Sequence, residues 1–204
     1  MIAVVDYGVG NLFSLRSSLA CVGAESVVTG EEKVLRSAEK IILPGVGAFG
    51  DAVKKLQESG LFSVVKEEAE KGKPLMGICL GMQLLFEKSY EFGEHDGLGL
   101  LEGKIKYLGD YAKSEKIPHI GWNALDIKKD SPIFKYIKNG DYVYFVHSYF
   151  ATDCEKNVTA TSSYGVPVTA CVQKNNVFGC QFHPEKSGDM GLNILKAFAE
   201  FERF

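Results

Sequence analysis

The stretch that most limits what this chain can become is Lys73-Pro74-Leu75-Met76-Gly77-Ile78-Cys79-Leu80-Gly81-Met82-Gln83-Leu84-Leu85-Phe86-Glu87. Pro74 to Ile78 is an apolar run of the length of a buried strand. Leu80 to Glu87 is rich in helix formers, with Leu80, Leu84 and Leu85 on one stripe. Between them stands a cysteine with a glycine two residues away on either side, the G-x-S-x-G elbow with sulfur in place of oxygen. The spacing predicts a sharp strand-to-helix turn with strained backbone at Cys79. It also puts the sulfur at a helix N-terminus, where the dipole and free N–H groups favour a thiolate. A plain core cysteine between two packing glycines fits the same letters, because free cysteines are commonly buried.

Around this elbow the chain alternates. Ile2 to Val5 reads as a buried strand ending at Asp6-Tyr7-Gly8-Val9-Gly10-Asn11. That G-x-G lacks the third glycine of a dinucleotide fingerprint, so the segment is taken as a tight turn with Asn11 as N-cap. Leu12, Leu15, Leu19 and Val22 follow at helical spacing up to Gly23. Strands are expected at 26–29 and 40–43, and helices at 31–37, 52–58 and 61–71. Strands alternating with helices imply a parallel sheet covered on both faces. After Glu87 the texture turns β-rich, with strands at 98–105, 141–149, 157–163, 168–173 and 177–182 and a last helix from Gly188 to Phe204. No linker divides the chain, so the expectation is an α/β fold in one domain, 1–204, with a mostly parallel central sheet and a β-rich C-terminal half.

Composition removes several classes of function. The net charge is −3 with both signs scattered, and no basic block suggests nucleic acid. No run of about 18 apolar residues offers a membrane span. The N-terminus lacks the basic region of a signal peptide. Five cysteines, an odd number with no C-x-x-C pair, argue against a disulfide framework or a zinc site and for a reducing cytoplasm.

A cysteine nucleophile needs a base. Of the four histidines, His95 lies in a polar loop, His119 has no acid near it in sequence, and His147 closes an aromatic strand. His183 is followed by Pro184 and Glu185, and across one rigid proline Glu185 can fold back on the ring and leave the second ring nitrogen for a thiol. A strand-end histidine in a surface turn is the plainer alternative. An acyl-transfer site also needs two N–H groups aimed at a developing oxyanion. The Leu80 N–H and the loop Pro44-Gly45-Val46-Gly47, at the carboxyl edge of the sheet, are the candidates.

The elbow Gly77 to Gln83, the loop Pro44 to Gly47 and Phe182-His183-Pro184-Glu185 together resemble class I (triad) glutamine amidotransferases. Further stretches narrow the resemblance: Asp6 to Asn11, Leu43 to Phe49, Pro118-His119-Ile120-Gly121-Trp122-Asn123, Phe145 to Tyr149 and His183 to Ser187 are similar to the glutaminase subunits of imidazole glycerol phosphate synthases. The resemblance implies a flavodoxin-like amidotransferase fold, no cofactor, and a Cys79-His183-Glu185 triad that hydrolyses L-glutamine to L-glutamate and ammonia. It implies an oxyanion hole of the Leu80 and Val46 N–H groups and substrate contacts at Gly47, Gln83, Ser148 and Tyr149. It implies a heterodimer with a cyclase barrel that uses the ammonia to make imidazole glycerol phosphate and an aminoimidazole carboxamide ribotide, with Asn11, Trp122, Asn123 and Lys186 at the interface. The glycine-flanked Val46 amide suggests a hole not yet formed without the partner. The rivals are a glutaminase of the anthranilate or aminodeoxychorismate type, a catalytically silent regulatory subunit, and a cysteine peptidase or γ-glutamyl hydrolase on a related sheet.

Overall fold

The computed structural model describes residues 1–202. In chain order the first half contains β1 (Ile2–Val5), α1 (Leu12–Cys21), β2 (Ser26–Thr29), α2 (Glu32–Ser37), β3 (Lys40–Leu43), α3 (Phe49–Glu58), α4 (Leu61–Glu70), β4 (Leu75–Ile78) and α5 (Leu80–Gln83). There follow β5 (Phe86–Ser89), β6 (His95–Asp96), β7 (Leu101–Tyr107), β8 (His119–Ala124), β9 (Asp126–Ile127), β10 (Tyr142–His147), β11 (Tyr149–Thr152), β12 (Val158–Tyr164), β13 (Val166–Lys174), β14 (Val177–Cys180) and α6 (Gly188–Glu200). The expected last helix therefore stops at Glu200; Arg203 and Phe204, placed in it from the sequence, lie outside the described residues.

Among the described residues the main sheet has the strand order β2-β1-β3-β4-β14-β13-β12-β9. It is parallel from β2 through β14 and antiparallel beyond. Strand β1, Ile-Ala-Val-Val, is buried at every position, as a strand covered on both faces must be. Its side chains alternate between two cores. Ala3 and Val5 join Leu43, Leu75 and the inward residues of α3 and α4; Ile2 and Val4 join Ile42, Met76 and those of α1 and α6. No helix among the described residues is long and apolar enough to cross a membrane.

Three expectations are corrected. The helix after Cys79 is one turn long, not eight residues, because Leu84 and Leu85 turn their carbonyls to an incoming segment. The Leu98 N–H bonds Leu84 O at 2.8 Å, and the Leu100 and Leu101 N–H groups bond Leu85 O at 2.9 and 3.0 Å. Phe86 then opens strand β5 in a four-stranded sheet ordered β11-β7-β5-β6. The expected strand 141–149 is two strands: β10 pairs with β8, β11 pairs with β7, and the chain changes sheet at Ser148. Asn11 stands at the start of α1, but its side chain makes no capping bond.

The elbow glycines are required by close approach. A Cβ on Gly81 would sit 1.8 Å from Leu43 O, and one on Gly77 2.6 Å from Gly81 O. Backbone lies on both sides, so no side chain can move aside. Gly81→Ala should therefore destabilise the chain by about 4 kcal/mol or more, measured as the urea midpoint or as loss of soluble protein. A variant within 1 kcal/mol of the native chain would contradict this packing.

Candidate active site

Strands β4 and β14 are parallel neighbours with Ile78 opposite Cys180. The residues after each strand therefore emerge at the same sheet edge. Cys79 takes φ 54° and ψ −113°, a left-handed conformation that a side chain rarely adopts. Its N–H donates to Cys180 O at 2.7 Å, and its own carbonyl accepts from the Gln83 N–H at 3.2 Å. The backbone strain expected at the elbow is present. Because α5 has a single turn, the hydrogen-bonding side chains around the sulfur matter more than a helix dipole.

Beyond β14 the chain bends. The His183 N–H donates to Tyr144 O at 3.0 Å, and the Ser187 hydroxyl donates to His183 O at 2.6 Å. Pro184 opens a 3₁₀ turn over Pro184–Lys186 that folds Glu185 back. Glu185 Oε1 lies 2.8 Å from His183 Nδ1, both side chains being almost fully buried. Glu185 Oε2 is buried without a partner. Cys79 and His183 border the same cavity. Burial alone would pull the His183 ring down; the neighbouring Cys79 sulfur and the hydrogen-bonded Glu185 carboxylate reverse this and push it up to about 10.

These groups border a cavity of about 400 Å³ lined by Val46, Gly47, Cys79, Leu80, Gln83, Ser148, Tyr149, His183 and Lys186, together with Glu91, Pro118, Val146 and His147. Every residue assigned from the sequence to the nucleophile, the oxyanion hole and the substrate contacts is at this cavity, and Glu185 sits behind His183. Asn11, Trp122 and Asn123 are not in its lining. Trp122 is 54% exposed, Lys186 is exposed, and Asn11 and Asn123 are half-buried. Asn123 is partly spent on the fold, its Nδ2 donating to Ser163 O at 2.7 Å. A larger cavity, about 530 Å³, lies beside Lys129, Phe150 and Cys154. Burial pushes the Cys154 thiol up to about 11, and no histidine lines that cavity.

Three residues with a part in the site were not found by sequence reasoning. Tyr7 donates to Pro44 O at 2.8 Å and so pins the start of the Val46 loop; burial and the neighbouring Cys79 charge raise its hydroxyl. Gln181, fully buried, places Nε2 3.8 Å from Cys79 Sγ. His147 places Nδ1 2.9 Å from Tyr149 O, and Gln83 Nε2 donates to the same carbonyl at 3.0 Å. The available signal was a polar residue inside an otherwise apolar run, Gln181 within Val177 to Phe182 and His147 at the end of Tyr142 to Val146. His119 and His147 are not bases for Cys79. They bond each other, Nδ1 to Nε2 at 3.0 Å. Burial lowers His119 to about 4; burial and the His119 charge lower His147 to about 3.

A strained cysteine at a strand-to-helix elbow, a histidine on the neighbouring strand's extension and a carboxylate behind it define a cysteine acyl-transfer site on an α/β sheet. The chain belongs to the class-I glutamine amidotransferase family, whose model matches residues 3–200. It is 53% identical over 201 residues to imidazole glycerol phosphate synthase subunit HisH of Caldanaerobacter subterraneus, covering 98% of each chain. It is 50% identical to the subunit of the same name from Oceanobacillus iheyensis, over the whole of both chains. Among solved structures it resembles a glutamine amidotransferase (TM-score 0.75, 20% identity, 97% and 99% of the two chains). It also resembles a chain of PurLQS from Thermotoga maritima (TM-score 0.74, 24% identity, 97% and 96%). At these identities the two structures speak for the fold.

The two kinds of buried histidine should titrate in opposite directions. His119 and His147 sit below the 6.5 of a free ring, so their share of stability is present above pH 6.5 and lost as the pH falls through about 4 and 3. His183 sits above it, so its share is present below pH 6.5 and lost as the pH rises through about 10. Proton NMR of the ring resonances should show two histidines neutral at pH 6.5 and one still charged well above it. A His183 that discharges near pH 6.5 would contradict the contacts described.

Proposed function

We propose that this chain is the glutaminase subunit of an imidazole glycerol phosphate synthase, acting in histidine biosynthesis by hydrolysing L-glutamine and passing ammonia to a cyclase subunit. The observation that carries the chemistry is the unbroken series of contacts Cys79 to His183 to Glu185 at one cavity. The imidazolium of His183 pairs with the Cys79 thiolate. The sulfur attacks the side-chain amide carbon of glutamine, and the carbonyl oxygen takes up the electron pair between the Leu80 and Val46 N–H groups. As the C–N bond breaks, His183 gives its proton to the departing ammonia. Neutral His183, held by Glu185, then takes a proton from water as that water attacks the γ-glutamyl thioester. Glutamate leaves and the Cys79–His183 pair is restored.

Gly47, Gln83 and the Ser148–Tyr149 backbone surround the substrate in this reading. Both Nε2 hydrogens of Gln83 are engaged, by Tyr149 O and Gln181 Oε1 at 3.0 Å each, so Gln83 meets glutamine through its carbonyl oxygen. The residues 1–204 are taken as one domain. The five cysteines are free thiols, which suits the cytoplasm.

Ammonia released into water becomes ammonium and loses its nucleophilic lone pair, so a subunit that only makes it needs a receiver. The ribbon of β8 and β10 offers a face for one. Ile120 and Tyr142 are each 57% exposed and Trp122 54%, with Tyr144 paired opposite Trp122. A Cβ on Gly188 would sit 3.8 Å from the Trp122 ring, so this face adjoins the turn that carries Lys186 and His183. Trp122 and Lys186 are assigned to the cyclase interface on this ground, and Asn11 and Asn123 on the sequence resemblance. Aromatic residues at the centre of a contact carry the largest share of its energy.

Cys79→Ala, assayed with the cyclase subunit and its ligand, should lower glutamate release by about a thousandfold or more while co-purification with the cyclase persists. Activity surviving that change would overturn the nucleophile assignment. The native chain without the cyclase should turn glutamine over far more slowly than the complex; equal rates would remove the unformed oxyanion hole from the account. Trp122→Ala should weaken cyclase binding by about 2 kcal/mol, read by calorimetry, and leave the pairing of Cys79 with His183 intact.

A further inference from the structure

Gln181 has no part in the triad, the oxyanion hole or the substrate contacts, yet its amide is fully buried against the nucleophile. Its Nε2 lies 3.8 Å from Cys79 Sγ and its Oε1 lies 3.0 Å from Gln83 Nε2. The orientation of this amide is set by a backbone group at the far end of a chain of hydrogen bonds. Tyr149 O can only accept, so Gln83 must turn its NH₂ group to it. The second hydrogen of that NH₂ meets Gln181, which must therefore present its carbonyl oxygen. That leaves the NH₂ of Gln181 for the sulfur. The amide cannot be reversed without leaving buried donors facing one another. The main chain of Gln181 is fixed as well, its N–H donating to Ala170 O at 2.9 Å.

We infer that Gln181 is a second, non-titrating hydrogen-bond donor to the Cys79 sulfur, which favours the thiolate when the attack begins and when the thioester releases it. The inference rests on Cys79 being the nucleophile. His183 is a donor only while it holds a proton, and it gives that proton to ammonia in the middle of the reaction. Gln181 keeps its hydrogens throughout. It also opposes Val146 O, which lies 4.0 Å from Sγ and can only accept, so it favours the protonated thiol. A buried donor aimed at an anionic sulfur stabilises that form without itself reorganising. The same chain joins the sulfur to the Tyr149 carbonyl at the place where the chain changes sheet, so the nucleophile and the substrate-facing backbone are positioned by one network.

The test is Gln181→Met, which has a similar length and no donor. Two measurements are made: the iodoacetamide alkylation rate of Cys79 against pH, located by peptide mass spectrometry, and glutaminase kinetics in the complex with the cyclase. Alkylation at neutral pH should fall about tenfold, with the acid limb of the profile moving about one unit upward. The fall in glutaminase kcat should exceed any rise in KM for glutamine. A profile that coincides with the native one in a folded variant would overturn the inference. Should the variant fail to fold, the native chain answers the question: in a nitrogen-15 spectrum the Gln181 side-chain amide should shift when Cys79 is alkylated, and an unmoved resonance overturns the contact. A native chain in which a glutamine-derived electrophile does not label Cys79 would overturn the nucleophile assignment, and this inference with it. A labelled Cys79 with an unchanged variant profile would overturn this inference alone.

Discussion

Everything at the cavity depends on the pairing of β4 with β14. The two strands run parallel, Ile78 faces Cys180, and the Cys79 N–H closes the ladder on Cys180 O at 2.7 Å. A chain leaving β4 must turn at once, and one leaving β14 bends through Gln181 and Phe182 into the His183 turn. Residues more than a hundred positions apart in sequence therefore meet at the carboxyl edge of one sheet, where open α/β folds place their ligands. The contact of sulfur with imidazole is a consequence of strand order and register. The strain at Cys79 is sustained because Leu43, Gly45 and Met82 pack so closely around the elbow that the backbone has no relaxed alternative.

The electrostatics depend on which groups share each buried ring. His183 has a carboxylate on one side and a sulfur on the other, so its charged form is the satisfied one. His119 and His147 have each other, an asparagine and a carbonyl, with aromatic rings stacked on His119 at centroid distances of 4.0 and 4.7 Å. The Tyr149 carbonyl favours a charged His147, but burial outweighs it and keeps both rings neutral. His183 and the His119–His147 pair thus hold different protonation states near neutral pH. The neutral pair fixes the Tyr149 carbonyl instead, which Gln83 and, through it, Gln181 also use.

Much of this was legible in the letters. The parallel half of the sheet could be read because each of its strands is a short apolar run closed by glycine or a polar turn. The elbow could be read because a nucleophile on a strand-to-helix turn leaves room for nothing but glycine at Gly77 and Gly81. The β-rich half was read less well. Leu84 to Phe86 have good helical letters, yet hydrogen bonds from the Leu98, Gly99, Leu100 and Leu101 N–H groups take their carbonyls and end the helix before strand β5. Tyr142 to Tyr149 is an unbroken run of strand formers, and nothing local marks Ser148 as the place where one sheet hands over to another. Strand β8 contains Gly121, which weakens a strand signal, and it exists because β10 pairs with it. The residues proposed as the triad were picked out by chemistry, since a nucleophile, a base and an acid are few in kind. The supporting side chains, Tyr7 and Gln181, were not, because their value lies wholly in what they touch.

The most direct test of the central claim, that the Cys79 sulfur and the His183 ring act together on a glutamine amide, is to trap the acyl intermediate. The chain, in complex with a cyclase subunit and turning over glutamine, is quenched in acid and digested, and each cysteine peptide is weighed. The account predicts a γ-glutamyl thioester on Cys79 and on none of Cys21, Cys154, Cys171 or Cys180. Glutamate released with no such adduct, or an adduct on another cysteine, would contradict it.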